Sequence, residues 1–374
     1  MAKETLYDIL VLGGGPAGAA AALFAAAKGL KAAVVHHGGP ASAKPQVEWF
    51  HPQGAALLVD GGVDSREAVL GAIDRVRFVD ATCKQDVRVT IGRKIDIVDS
   101  ARLTDNMLAR AEEKGADRFG RRVTAIRAHE KTVSLATDGG GHFTGRLLIA
   151  ADGARSLASQ CFELEGETGT APPTFCCQAV VGTLQPRPRP GAAVELTLLL
   201  DSDDLSRFGY GFLLGTALVV GTVAPASSGD PRTGFREALT RWTRAGYLPA
   251  EANPAEELVD IREVPRGLAL EFDTHVGKHV LFIGDAGGYV TAVSHEGLYP
   301  AIWSAKLAVD ACVAALPSKH PQDALIEFDS SWRREMADYL RPPNSDLRFL
   351  LPLIFSNKRM AEKLAEAFFF GVNL

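Results

Sequence analysis

Short, uniformly apolar runs recur along the chain, and three of them open directly onto glycine-containing loops. Asp8–Leu12, Leu30–Val35, Arg146–Ala150 and Val280–Ile283 are of this kind. Continuous runs of this length predict strands buried on both faces, as in a parallel sheet. Gly13–Gly18 follows the first run, and the alanine-rich stretch Ala19–Lys28 predicts a helix that Gly29 can close. Strand, glycine turn, helix and strand make a βαβ unit, right-handed by default. Ala101–Gly115 predicts a second helix. Val123–Ala128 and Thr132–Ala136 predict strands, with Asp138–Gly141 as their turn.

From about 170 to 269 the pattern changes. Prolines cluster at Pro172, Pro173, Pro186, Pro188 and Pro190, and strand-like runs accompany them: FCCQAVVGTL, Val194–Leu198 and Ala217–Val223. An inserted, mainly antiparallel domain is expected here. The buried-strand pattern returns at Val280 and leads into a long helix, Gly297–Ala315. The tail after Pro321 is helical, with breaks at Pro342-Pro343 and Pro352. The predicted fold class is α/β: a Rossmann-like domain with a parallel sheet (1–160 plus 270–320), an antiparallel insertion (161–269) and a C-terminal helical extension (321–374).

Composition narrows the function. The 374 residues are 47% hydrophobic and 23% charged, close to globular averages. With 40 basic against 45 acidic residues the net charge is −5, so there is no basic surplus for a nucleic acid. The five cysteines are odd in number and form no CxxC, which suggests a reducing, cytoplasmic setting. The longest apolar run, Gly18–Ala27, is too short to span a bilayer. The histidines and cysteines show no metal-ligand spacing.

The glycine turn carries the strongest chemistry. Gly13, Gly15 and Gly18 fit GxGxxG between a strand and a helix, the context that makes this motif specific. Gly13 allows the tight turn, Gly15 lets a pyrophosphate approach, and Gly18 lets the helix sit close to the strand. The helix N-terminus, with Pro16 and Ala17, then offers free N–H groups to phosphate. The end of the second strand should carry an acid for the ribose hydroxyls. It carries His36 and His37 instead. Two readings compete: His36 replaces the carboxylate as an uncharged acceptor, or both histidines only end the strand.

Two further loops repeat an acid beside a glycine after a buried strand: Asp152-Gly153 and Gly284-Asp285. Together with GGGPAG, in this order, they resemble FAD-dependent oxidoreductases of the glutathione-reductase-2 structural type. That superfamily includes p-hydroxybenzoate hydroxylase, geranylgeranyl reductases and flavin-dependent halogenases. The resemblance implies that GGGPAG holds the FAD pyrophosphate. It implies that Asp152-Gly153 lies near the pyrophosphate, that Asp285 holds the ribitol, and that Val123 lies on the strand meeting adenine. Arg102 stands near Ser100, where many relatives have an arginine. The stretch from Gly284 through Tyr289, Glu296, Gly297, Leu298, Ala301 and Ser304 is similar to the reductase and halogenase branch, with Ala292 replacing the usual proline. The helix from Gly297 would point its N–H groups at the flavin. Tyr210 and Phe212 partly match a Tyr-x-Trp-x-Phe-Pro segment of geranylgeranyl reductases, with Leu214 in place of the proline.

His295, Glu296 and Tyr210 are the candidate catalytic residues. Each competes with a plainer role: a turn and helix cap for the first two, core packing for Tyr210. Glu48 and His51 fall on a loop that often approaches the flavin, and a solvent loop is the better expectation. The aromatic cluster Phe368–Phe370 in the tail leaves room for a peripheral membrane contact, although a packed core helix is the commoner meaning of such a stripe. One dinucleotide fingerprint and no CxxC leave the flavin to be reduced by transient NAD(P)H, by a protein partner or by the substrate itself. The expectation is a FAD-dependent oxidoreductase of geranylgeranyl-reductase-like type that reduces an alkene in an apolar small molecule. The alternatives are a monooxygenase and a weakly FAD-binding maturation partner.

Overall fold

The computed structural model describes residues 5–37, 46–164, 174–182, 184, 193–200, 207–249, 254–342 and 347–372. The proline cluster at 172–190 and Pro343 lie outside these residues. In chain order the first elements are β1 (Leu6–Leu12), α1 (Pro16–Ala27), β2 (Ala32–His36), β3 (Val47–Phe50), α2 (Pro52–Gly61), β4 (Val69–Val79), β5 (Asp86–Asp99), α3 (Ser100–Glu113), β6 (Asp117–Gly120), β7 (Val123–Ala128), β8 (Val133–Thr137), β9 (His142–Ala150) and α4 (Leu157–Cys161). Then come β10 (Thr174–Val181), β11 (Ala193–Leu200), β12 (Phe208–Leu214), β13 (Ala217–Pro225), α5 (Pro231–Arg244), β14 (Asp260–Val264), β15 (Val276–Gly277) and β16 (Val280–Phe282). Four helices, α6 (Leu298–Ala315), α7 (Pro321–Leu340), α8 (Leu347–Ser356) and α9 (Lys358–Phe370), complete the chain.

The buried runs form one sheet in the order β15-β16-β9-β1-β2-β6, with the hairpin β7-β8 joined to β9. Its centre is parallel: Leu12 pairs with both Val35 and Ala150. Helix α1 lies against this sheet and against α3 and α6. It is apolar all round because it is buried all round, from Ala17 to Ala26. Helix α6 is long and apolar enough to cross a membrane, yet 61% of it is buried inside the fold, packed on α1 and α7.

The second sheet runs β14-β10-β13-β12-β11-β4-β5-β3. Three of its strands, β3, β4 and β5, come from residues 47–99, well before the expected boundary at 161. Of these, β4 pairs with β11, more than a hundred residues away, and carries β5 and β3 into the sheet with it. Local pattern does not reveal such a pairing. Two smaller expectations are also corrected. Asp138–Gly141 joins β8 to β9, while β7 and β8 are joined by the tighter His129–Thr132 turn, in which His129 N–H donates to the Thr132 carbonyl at 2.7 Å. Pro352 sits inside α8 rather than breaking it. The helix ends at Asn357, whose side chain accepts from the N–H groups of Arg359 and Met360 and so starts α9.

The glycine turn fixes how α1 meets the sheet. Gly13 has φ +109, and a Cβ there would stand 2.1 Å from the Ala151 carbonyl oxygen. A Cβ on Gly18 would stand 2.0 Å from the Gly13 carbonyl oxygen, whereas one on Gly15 would meet nothing within 4 Å. Gly18→Ala should therefore lower unfolding free energy by about 1–3 kcal/mol through overpacking. Gly15→Ala should cost under about 1 kcal/mol, the ordinary effect of alanine at an N-cap. Denaturant melts of the two variants compare these directly.

Candidate functional site

A cavity of about 310 Å³ lies between the two sheets, within the range of small-molecule sites. One end is built by Gly15, Pro16 and Ala17 at the start of α1. The middle is built by Gly153, Asp285, Gly297 and Leu298, and the far end by Trp49, Gln178 and Tyr210 of the second sheet. Two helices begin at its wall. Gly15 caps α1 and Gly297 caps α6, neither with a side-chain oxygen. The positive ends of both helix dipoles therefore face the same space.

Asp285 sits in that wall. Its carboxylate takes no side-chain hydrogen bond among the described residues. Burial, reinforced by the charge of Glu48 and opposed by Arg262, pushes its pKa up to about 6. A hydroxyl-bearing ligand would supply the missing donor. The loop that carries it is held from three sides. Gly284 N–H donates to Ser304 Oγ at 3.1 Å, Ser159 Oγ donates to the Ala286 carbonyl at 3.1 Å, and His275 Nε2 lies 2.8 Å from the Gly287 carbonyl.

Asp152 is engaged within its own loop. Its carboxylate accepts from Ser156 Oγ at 2.6 Å and from the N–H groups of Leu157 and Ala158 at 2.7 and 3.2 Å. It braces the start of α4, and Gly153 alone of the pair lines the cavity. At the end of β2, His36 Nε2 accepts from Arg118 Nε at 3.2 Å. Burial and the Arg118 charge lower its pKa, so the imidazole is held neutral with this nitrogen engaged. His37 is exposed. Arg102 is exposed on α3 and does not line the cavity. The buried residue there is Ser100, whose hydroxyl donates to Glu48 Oε1 at 3.0 Å. Val123 opens β7 and packs beside Ile126 and Phe119, outside the cavity.

The far end of the cavity is more polar than an apolar pocket. Arg262 on β14 donates to Glu48 Oε1 at 2.8 Å and pairs with Asp260 at 3.0 Å. Glu263 beside it pairs with Arg155 at 2.9 Å, tying the Asp152-Gly153 loop to the second sheet. Glu48 carried only a weak sequence signal, and Arg262 carried none, because a charged residue in a short edge strand ordinarily faces solvent. Tyr210 OH accepts from Gln178 Nε2 at 2.8 Å. The Gln178 amide is itself fixed to the Val47 backbone, by 2.8 Å and 3.2 Å bonds. Gly221 stands between them in the sheet register, and any Cβ there would lie 2.2 Å from the Tyr210 ring. Burial keeps the Tyr210 hydroxyl protonated, with its pKa well above 10. Trp49 closes on it edge-to-face at 5.4 Å.

His295 lines the cavity in a left-handed conformation, φ +54, with both ring nitrogens buried and unpartnered among the described residues. Such strain in a non-glycine residue clusters at functional sites. Burial, with the Arg266 charge, lowers its pKa to about 3, so the ring is neutral. Glu296 also touches the cavity, and its carboxylate is hydrogen-bonded at both oxygens. Oε1 accepts from His51 N–H at 3.3 Å, and Oε2 accepts from Tyr339 OH. Burial raises its pKa to about 7. The aromatic cluster of the tail is part of the core: Phe368 and Phe369 are buried against Trp49, with Phe368 also on Phe208. The exposed apolar residues of the tail are instead Phe349 and Leu353 on α8.

The open side of Gly15, the uncapped helix starts and the unpartnered Asp285 fit a dinucleotide lying from the glycine turn toward Tyr210. None of the curated proteins matches the chain. Solved structures match over nearly its whole length. A geranylgeranyl bacteriochlorophyll reductase-like protein from Thermoplasma acidophilum superposes with a TM-score of 0.73 at 16% identity, covering 99% of this chain and 93% of that one. PqsL, a probable FAD-dependent monooxygenase from Pseudomonas aeruginosa, gives 0.64 at 16% identity over 94% and 100%. A mutant of the halogenase PltM in complex with FAD gives 0.66 at 15% identity over 87% and 73%. At these identities the likeness is one of fold. The model of a family described as "FAD binding domain" matches residues 6–209, more than half of the chain. The chain therefore belongs to that FAD-binding family and is a FAD-dependent oxidoreductase.

Proposed function

We propose that the protein reduces a carbon–carbon double bond in a largely apolar small molecule, using NAD(P)H as a transient reductant. FAD, when bound, supplies the two-electron chemistry. The chain supplies binding, exclusion of water and a proton. Gly15, Pro16 and Ala17 would hold the pyrophosphate, Asp285 a ribityl hydroxyl, and the start of α6 the ring. Saturating a double bond adds two electrons and two protons in all, so a protein acid beside the substrate is required. The observation that carries the reading is Tyr210: a hydroxyl that keeps its proton, held by Gln178 and faced by Trp49 on the wall of the cavity. Neutral His295 lines the same space. The likeness to a probable FAD-dependent monooxygenase favours oxygen-dependent hydroxylation as the second reading.

Purified protein should be yellow, and Asp285→Asn should weaken FAD affinity by about tenfold, the worth of one good hydrogen bond. Fluorescence titration of FAD measures this. Tyr210→Phe should cut turnover about a hundredfold with FAD affinity unchanged, the usual scale of a lost general acid. Alkene reduction under anaerobic conditions would support the reductase. Substrate-coupled oxygen uptake would support the monooxygenase and overturn it.

His295 sets a pH dependence. Its folded pKa of about 3 lies below the ordinary 6.5. The unfolded state therefore binds more protons across that window. The stability it contributes is fully present above the ordinary value and is lost as pH falls toward 3. His295→Asn, which tolerates the left-handed backbone, should flatten the acid limb of the stability profile relative to the parent protein.

A further inference from the structure

The site leaves one buried acid without a role. Glu296 is hydrogen-bonded at both carboxylate oxygens, and its partner Tyr339 belongs to α7. Tyr339 also lines a second, small cavity of about 10 Å³, together with Thr291, Ser294, Arg341, Phe368 and Val372. That is the room one water centre needs, and the hydroxyls around it are the polar partners such a water requires. Arg341 and Val372 are exposed, so this space lies next to solvent. Ser294 lines both cavities.

We propose that Tyr339 and Glu296, with the Thr291–Ser294 hydroxyl pair beside them, form a proton inlet from solvent at the C-terminal end of the chain to the reaction cavity. The proposal rests on the reading that the cavity consumes protons as substrate is reduced. One proton enters from water onto the Tyr339 oxygen as the Tyr339 hydroxyl proton passes to Glu296 Oε2. Glu296 gives its own carboxyl proton to the main cavity, and the proton received at Oε2 restores the acid. A turn of the carboxyl about its Cγ–Cδ bond presents that proton to the cavity again, so one proton crosses and each group returns to its starting form.

The geometry is fixed at every link. Tyr339 OH donates to Glu296 Oε2. Thr291 Oγ1 and Ser294 Oγ are 2.8 Å apart. Glu296 N–H donates to Thr291 Oγ1 at 2.9 Å, and Thr291 N–H donates to the Glu296 carbonyl at 3.0 Å. The loop between the two cavities is thereby cross-bonded. The surrounding groups leave the acid poised. The His51 ring, stacked on Tyr299 at 4.7 Å, has its pKa lowered to about 4 by burial and by Arg93, so it is neutral. Tyr299 and Tyr339 keep their protons. Glu48 is the charged group acting on Glu296, and it favours the protonated form. A pKa of about 7 suits an acid that must both give and regain a proton near neutrality.

The test is infrared titration of the protein without FAD, with Glu296→Gln identifying the carboxylic-acid band. The parent protein should show a band that is lost near pH 7 and is missing from Glu296→Gln. Tyr339→Phe keeps the ring against His51 and Tyr299 but removes the donor that stabilises the carboxylate. Its band should shift and its titration midpoint should rise. In the FAD-loaded protein Tyr339→Phe should slow product formation about tenfold or more, with a larger solvent isotope effect, while reduction of FAD by NAD(P)H keeps its rate. No Glu296 band in the parent protein, or the same band and midpoint in Tyr339→Phe, would overturn the inlet. If the protein took up no FAD, the proposed reaction would fall while the infrared result still reported on the pair.

Discussion

Helix α1 is pressed against the loop that precedes it so closely that the Gly13 carbonyl fills the space a side chain at residue 18 would need. Much of the site depends on that approach. It brings the amide groups at the start of α1 to the edge of the central sheet. It also leaves Ala17 against Gly284, where any Cβ on residue 284 would meet it at 2.5 Å. The loop bearing Asp285 is therefore seated on α1 on one side and on Ser304 of α6 on the other. One close helix–loop contact sets the relative positions of the glycine turn, a carboxylate and a second helix start.

The second sheet contributes what the first cannot: walls for a substrate. Its strands alternate, so Cys176, Gln178 and Tyr210 face the cavity while Cys177 and Ala179 pack under α5. Polar groups on the inner face are tied down before any ligand arrives. Gln178 is bonded to Val47 and Tyr210, and Glu48 to Arg262 and Ser100. Satisfied networks of this kind hold side-chain directions in a low-dielectric space. The exception is His295, whose ring nitrogens have no partner among the described residues and whose backbone is strained.

The tail packs as core, the commoner meaning of its apolar stripe: Phe368 and Phe369 form an aromatic cluster with Trp49 and Phe208. Tyr339 reaches back to Glu296 over the same junction. The C-terminal helices thus pack behind the wall of the site.

The sequence by itself determined the βαβ start, the glycine turn, the buried strands and the two acid–glycine loops. These are local: a run of apolar residues or a glycine at a fixed offset is dictated by the backbone within a few residues. Three things were decided only by the tertiary structure. Residues 47–99 joined the second sheet because one of their strands, β4, pairs with β11, which is remote in the chain. Asp152 was spent on the start of α4, and His36 was engaged by Arg118, because a carboxylate or imidazole bonds whichever donor the fold brings within reach. Glu296 became a buried, tyrosine-bonded acid because α7 crosses it, a contact between residues 43 apart that no local pattern encodes.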